Sequence, residues 1–250
     1  MLLAETLATN GAVLAGGVDR LKPGDVHDLG ELAGVKPLGI MAGDDVTALF
    51  DAVDVVIDFT VPAASVDHAK LAAKTGKGLV IGTTGLDAEQ TRAVESAAQH
   101  AAILWAPNMS LGVNLLLGLV EQVARSLGDD WDIEIVEMHH RHKIDAPSGT
   151  ALGLGRAAAK GRGVVLDDVA VRSRDGYTGP RKEGTIGFAT LRGGDVVGDH
   201  TVVFAGEAER IELTHKATDR RIFARGALRA ALWTKDRAPG LYSIKDVLGL

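Results

Sequence analysis

Residues 54–59, DVVIDF, are followed by TVP at 60–62 and a helical pattern over about 63–75, then by GLVI at 78–81 and GTTG at 82–85. The first run is short, apolar and rich in β-branched side chains, with too little alternation for a strand that meets water on one face. That pattern fits a strand buried on both faces. GLVI repeats it after one helix. A helix over about 87–99 then leads to another apolar run, residues 101–105 (AAILW). Strands that alternate with helices imply βαβ units and a parallel sheet, so the first half is expected to be a doubly wound α/β layer. Upstream, residues 1–9 read as the end of a helix and residues 11–19 (GAVLAGGVD) as a strand.

The second half has a different rhythm. A long helix is expected over about 111–127, then a strand over 131–139 that alternates polar and apolar residues. A helix begins near Ser148. Strand-like runs follow at 169–172, 185–191, 196–204 and 210–215, some joined by tight turns such as RGGD at 192–195. Successive strands of this kind predict an open, largely antiparallel or mixed sheet. A helix over about 219–233 and a polar turn finish the chain.

Composition limits the function. The 250 residues are 46% apolar and 24% charged, with a formal net charge of -6, so nucleic acid and anionic membranes gain no general attraction and any anion site must be local. There is no cysteine, which excludes disulfides and thiol chemistry and fits a cytoplasmic protein. The N-terminus does not read as a signal peptide. The stretch 99–120 has no Asp, Glu, Lys or Arg, but Pro107-Asn108, Ser110 and Asn114 break it, so it reads as strand, loop and buried helix rather than a membrane span.

In an open α/β sheet, ligands sit beyond the carboxyl ends of the strands. Three loops there carry nucleotide-site chemistry: Phe59-Thr60, Gly82-Thr83-Thr84-Gly85 and Ala106-Pro107-Asn108-Met109. Each alone is an ordinary turn composition; three on successive strands point to one site. Asp19-Arg20 follows an expected strand end, where an acidic residue would bond a ribose hydroxyl and an arginine would meet a 2′-phosphate; a solvated turn competes evenly with that reading. The opening strand and Gly-rich turn of such a domain do not stand in the sequence, which begins inside what reads as the first helix.

The densest chemistry lies at 137–151, EMHHRHKIDAPSGTA, where three of the eight histidines stand beside a lysine. A metal site is disfavoured: neighbouring residues on an extended chain face opposite ways, and Lys143 repels a cation. A solvated, basic strand end competes for Arg141 and His142. The favoured reading is an anion site with acid–base groups. Asp145-Ala146-Pro147 stops the strand, and Ser148-Gly149-Thr150 opens a helix whose N–H groups and dipole suit a carboxylate or phosphate. Lys143 adds a full charge, and the histidines exchange protons near neutral pH.

This stretch resembles the signature of the dihydrodipicolinate reductase family, NAD(P)H-dependent reductases of the diaminopimelate route to lysine. Further segments resemble the family in order: VDR at 18–20, DFT at 58–60, GTTG at 82–85, APNMSLGVN at 106–114, RGGDVVGDHTV at 192–202 and THKATDRRIFARGALRAALW at 214–233. The resemblance implies a Rossmann-like parallel-sheet nucleotide domain (1–110 with 220–250) and an α+β substrate-binding and oligomerisation domain with an open mixed sheet (111–219), assembled as a homotetramer. It implies His139 as proton donor/acceptor and Lys143 as proton donor. His140, Ser148, Gly149 and Thr150 would bind the substrate's carboxylate. Asp19, Arg20, Phe59, Thr60, Gly82, Thr83, Thr84, Ala106, Pro107, Asn108, Met109, Arg220 and Phe223 would face NADPH or NADH. No metal is implied.

The resemblance also implies about 15 to 20 residues upstream, a strand plus a Gly-rich turn, without which cofactor would bind more weakly. Two other classes stay open at this point. One is a different two-domain nicotinamide oxidoreductase, although many of those use a cysteine. The other is a non-catalytic Rossmann-like sensor of nucleotide or dicarboxylate, which the missing glycine loop favours.

Overall fold

The computed structural model describes residues 1–19 and 27–250. The chain divides into two compact units, Met1–Leu111 with Arg221–Leu250, and Gly112–Arg220. In chain order, the first unit begins with α1 (Leu2–Ala8), α2 (Leu29–Leu32), α3 (Val46–Ala52), β1 (Val55–Asp58), α4 (Pro62–Thr75), β2 (Gly78–Ile81), α5 (Ala88–Ala97) and β3 (Ala102–Trp105). Next come α6 (Leu111–Ser126), β4 (Asp132–His139), α7 (Gly149–Gly161), α8 (Leu166–Val169), β5 (Ala170–Val171), β6 (Ile186–Arg192), β7 (Gly198–Ala205) and β8 (Arg210–Ala217). The chain then returns to the first unit with α9 (Arg221–Thr234), β9 (Gly240–Tyr242) and α10 (Ile244–Leu248).

The first unit is a four-stranded sheet in the order β1-β2-β3-β9, parallel throughout. The side-chain period of two divides each strand between two cores. Leu79, Ile81 and Ile103 pack with Ala69, Ala72, Val94 and Ala97 of α4 and α5. Val80 and Leu104 pack with Ala227, Ala230 and Ala231 of α9 and with Ile244 and Val247 of α10. Both faces are therefore buried, which is why these strands carry no polar alternation. Burying each Leu, Ile or Val side chain contributes about 1.5–3 kcal/mol. Local signals set the helix limits. Pro62 starts α4, Gly76 ends it in the left-handed region, and Asp87 with Gln90 forms a capping box on α5.

The second unit is a mixed sheet in the order β5-β6-β4-β7-β8. β4 pairs parallel with β6 and antiparallel with β7. Ile133 and Ile135 of β4, Ile186 and Phe188 of β6, and Val202 and Phe204 of β7 form one core with Leu116 and Val120 of α6 and Leu154 and Ala158 of α7.

Three expectations need correction. Residues 11–17 form no strand, and Val18 makes only an isolated bridge to Gly43. A strand needs a run of ladder partners, and among the described residues this segment pairs only at Gly43. The strand expected at 169–172 shrinks to Ala170–Val171, because Leu166–Val169 coils into a short helix. The final polar turn is instead β9 and α10, the latter capped by a Ser243–Asp246 box. Leu14–Val18 and Val55–Asp58, with residues of α1, α3 and α9, line a cavity of about 570 Å³.

Candidate active site

In the first unit, the loops after β1, β2 and β3 are tied together. Asp58, almost fully buried at the end of β1, accepts from Thr60 Oγ1 at 2.6 Å and lies 3.1 Å from His68 Nδ1. Burial pushes this carboxyl up, but hydrogen bonds led by that of His68 outweigh burial and hold it below the usual carboxylate range. The Thr60 amide donates to Thr83 Oγ1 at 3.0 Å, and Trp105 Nε1 donates to the Thr83 carbonyl at 3.2 Å. A Cβ on Gly82 would overlap the Phe59 ring, so the absent side chain lets that ring lie on the β2 loop. Phe59, Thr60, Thr84 and Pro107 are exposed above this locked base. Met109 is buried in the core with Ala106, and Phe223 packs against the same cluster. Asn108 Oδ1 accepts from the Ser110 amide at 2.8 Å.

Asp19 follows the bridge residue Val18. It is exposed, and its amide donates to the Gly43 carbonyl at 3.2 Å. Arg20 lies outside the described residues. The three strand-end loops fit a nicotinamide nucleotide: they offer an exposed aromatic face, hydroxyls and close backbone.

In the second unit, the strict alternation of β4 turns Glu137 and His139 to the same buried side as Ile133 and Ile135. His139 Nδ1 lies 2.5 Å from Glu137 Oε2. Arg192, at the end of β6, grips both carboxylate oxygens of Glu137 at 2.9 and 3.0 Å and donates to the Asp145 carbonyl at 2.6 Å. Beyond β4 the chain turns: the Lys143 amide donates to the His140 carbonyl at 3.1 Å. Lys143 Nζ then lies 2.8 Å from Asp145 Oδ1, and this ammonium holds the Asp145 carboxyl below its ordinary range. Ser148 caps α7, its Oγ accepting from the Ala151 amide at 3.1 Å while its own amide donates to Glu137 Oε1 at 3.1 Å. Gly149 and Thr150 follow as the first residues of α7. A Cβ on Gly149 would meet open space.

His140 is pushed towards the neutral form by burial, then by Arg220, His142, His139 and Lys143. Arg220 itself is exposed. The structure thus gathers His139, His140, Lys143, Ser148, Gly149 and Thr150 on one strand–turn–helix.

Sequence reasoning missed Glu137, Arg192 and His200 as members of this cluster. Glu137 had a signal, an acid two places before His139 on the inward register of an alternating strand. His200 Nε2 lies 3.0 Å from Ser148 Oγ, and the His200 ring sits edge-on to His139 with centroids 5.0 Å apart. Burial, and next the charge of His139, lower the His200 pKa from 6.5 to about 4.

The unfolded chain therefore takes up this proton at a higher pH than the folded one. Stability from neutral, buried His200 is present above pH 6.5 and falls as the pH drops towards 4, by up to about 3 kcal/mol. Urea unfolding at pH 7 and pH 4.5 checks this. Wild type should lose more stability than His200→Gln, and equal losses would show that another group carries the acid sensitivity.

Two family models match the chain, meeting near residue 110. The dihydrodipicolinate reductase N-terminus family model matches residues 1–109, and the dihydrodipicolinate reductase C-terminus model matches residues 112–248. The 4-hydroxy-tetrahydrodipicolinate reductase of Rhizobium rhizogenes is 59% identical over 247 residues, covering 97% of this chain and 89% of the relative. That of Brucella abortus is 55% identical over 251 residues, covering 100% and 94%. The dipicolinate-bound dihydrodipicolinate reductase from Paenisporosarcina sp. TG-14 superposes with a TM-score of 0.75 at 24% identity, over 95% of this chain and 90% of that one, a likeness of fold. The chain belongs to the dihydrodipicolinate reductase family.

Proposed function

We propose that this protein reduces 4-hydroxy-tetrahydrodipicolinate to tetrahydrodipicolinate with NAD(P)H, in the diaminopimelate route to lysine. The observation that carries the reading is the strand–turn–helix in which clamped His139 and the Lys143 ammonium stand beside the start of α7. Its relatives' names point the same way. The reading as a non-catalytic sensor gains nothing from them.

The first unit is the dinucleotide domain. Phe59, Thr60, Gly82, Thr83, Thr84 and the 106–109 loop would hold the nucleotide, with Asp19 and Arg20 at the adenosine ribose and Phe223 from the returning segment. The bound nucleotide supplies a hydride. Asp19 favours a free 2′-hydroxyl and Arg20 a 2′-phosphate, so we assign use of both NADH and NADPH.

The second unit is the substrate domain. Gly149 and Thr150 bind a carboxylate at the dipole end of α7, with Ser148 shaping that end and neutral His140 hydrogen-bonding the ligand. Loss of the 4-hydroxyl and a neighbouring ring proton as water gives a C=C conjugated with an imine, and hydride addition to it leaves negative charge on the substrate. The Lys143 ammonium stabilises that charge, and Lys143 and His139 hold the protons that quench it.

We place the enzyme in the cytoplasm as a homotetramer assembled through the second unit. The absence of cysteine supports the compartment, and Leu191 and Ile211, exposed on its strands, support the assembly. No helix among the described residues is long and apolar enough to cross a membrane.

The deciding assay follows loss of NADH or NADPH absorbance with enzymatically generated substrate; no turnover with either nucleotide would defeat the reading. Pyridine-2,6-dicarboxylate should compete with substrate, and Thr150→Val should weaken that inhibition about tenfold, the effect of one hydrogen bond to a charged group. Unchanged inhibition would move the carboxylate away from α7.

A further inference from the structure

Glu137 is a carboxylate with a side chain only 1% exposed, set among the apolar residues of β4. A charge in such a place persists only when its oxygens are fully engaged. Glu137 is engaged on every side. Oε1 accepts from Arg192 Nη2 and the Ser148 amide, and Oε2 accepts from Arg192 Nη1 and faces His139 Nδ1. Burial raises its pKa, but hydrogen bonds from Arg192, His139 and Ser148 outweigh burial and hold it below the ordinary value. It is therefore ionised at neutral pH.

An ionised carboxylate only accepts. At 2.5 Å, a lone pair on His139 Nδ1 would face a lone pair on Oε2, which is repulsive; a proton there makes a charge-assisted bond. Nδ1 carries that proton whether the ring is neutral or cationic. The exchangeable site is then Nε2. Gly198 stands beside that nitrogen, and a Cβ at 198 would lie 2.9 Å from Nε2. The neighbouring His200 is held neutral at pH 7, so it adds no positive charge against His139 when the latter is protonated.

We propose that Glu137 is a positioning residue that fixes the Nδ1–H tautomer of His139 and leaves Nε2 as the one nitrogen that exchanges a proton with the substrate. Arg192 keeps Glu137 ionised and, through the Asp145 carbonyl, ties it to the turn that carries Lys143. Glu137 also holds the Ser148 amide, so one buried carboxylate orients both the proton-transfer ring and the start of α7. The kinetic part of this proposal rests on the reductase reading; the tautomer does not.

The test combines ¹⁵N NMR of histidine-labelled protein with steady-state kinetics. In wild type above pH 7, His139, assigned by loss of its signal in His139→Gln, should show a protonated Nδ1 and an unprotonated Nε2. In Glu137→Gln the amide can donate or accept, so the two nitrogens should move towards averaged shifts. kcat should fall by about 10², within the range for a displaced acid–base group, with the KM for NADH changed less than about twofold. Glu137→Asp, which keeps the charge, should recover part of the loss.

A wild-type neutral ring protonated on Nε2 would overturn the proposal, as would Glu137→Gln with wild-type kcat. Should Glu137→Gln fail to fold, the wild-type spectrum still decides the tautomer. If wild type shows no reductase turnover, the assigned function fails while the NMR result continues to judge the clamp.

Discussion

Lys143→Ala is expected to lower kcat by about 10² to 10⁴, the range for loss of a positioned general acid. The ammonium sits on the turn after β4, 2.8 Å from Asp145. Asp145 is more than half exposed, so losing this ion pair costs the fold little, and the effect should fall on turnover rather than on folding. Thermal unfolding should confirm an intact protein, and single-turnover kinetics should place the defect in the chemical step. A variant with normal kcat and only a raised KM would assign Lys143 to binding and leave the proton to another group. Lys143→Arg separates charge from geometry. It keeps a cation but presents a planar, permanently protonated group, so it should restore binding more than turnover.

Gly226→Val is expected to produce the largest loss of stability. Gly226 lies in α9 where the helix crosses the Met109 carbonyl, and a Cβ built there would overlap that oxygen. The obstacle is backbone, not a flexible side-chain tip, so it cannot swing aside. Overpacking of this kind costs about 3 kcal/mol or more. For a unit of this size that corresponds to a fall in Tm of about 10 °C. Met109 ends the third of the loops proposed to hold the cofactor, so the helix and the loop must separate together. Nicotinamide nucleotide affinity should therefore drop with the Tm. An unchanged Tm would mean that α9 can slide on the sheet without penalty.

The double burial of β2 and β3 could be read from GLVI and AILW because a parallel sheet covered on both faces needs continuous apolar runs. The mixed sheet was legible in the successive strand-like runs joined by tight turns such as that at 192–195. GAVLAGGVD looked like a strand because local residue choice records a preference for extension, whereas a ladder needs a neighbour that local sequence does not specify. β9 escaped because three residues behind Pro239 carry too little pattern to separate a short strand from a turn. At the site, the helix start and the histidine–lysine run were local and hence visible. The clamp on Glu137 was not, since Arg192 arrives from 55 residues away and His200 meets Ser148 across 52.

The discontinuous first unit has a consequence for how the protein is made. Its sheet is covered on one face by α4 and α5, which are synthesised early, and on the other by α9 and α10, which are synthesised last. The second unit, by contrast, is one continuous segment and can complete its core before residue 221 leaves the ribosome. During translation the order of maturation should thus be inverted along the chain, with the later-coded unit compact first. Until α9 docks, Val80 and Leu104 lack the cover it provides, so the nascent chain exposes apolar surface over that interval. Pulse proteolysis of stalled ribosome complexes would read this directly. Chains ending near residue 220, held clear of the exit tunnel by a linker, should be cut within 55–105 and resist cleavage within 132–205. The opposite pattern would mean that the nucleotide domain closes without its final helix.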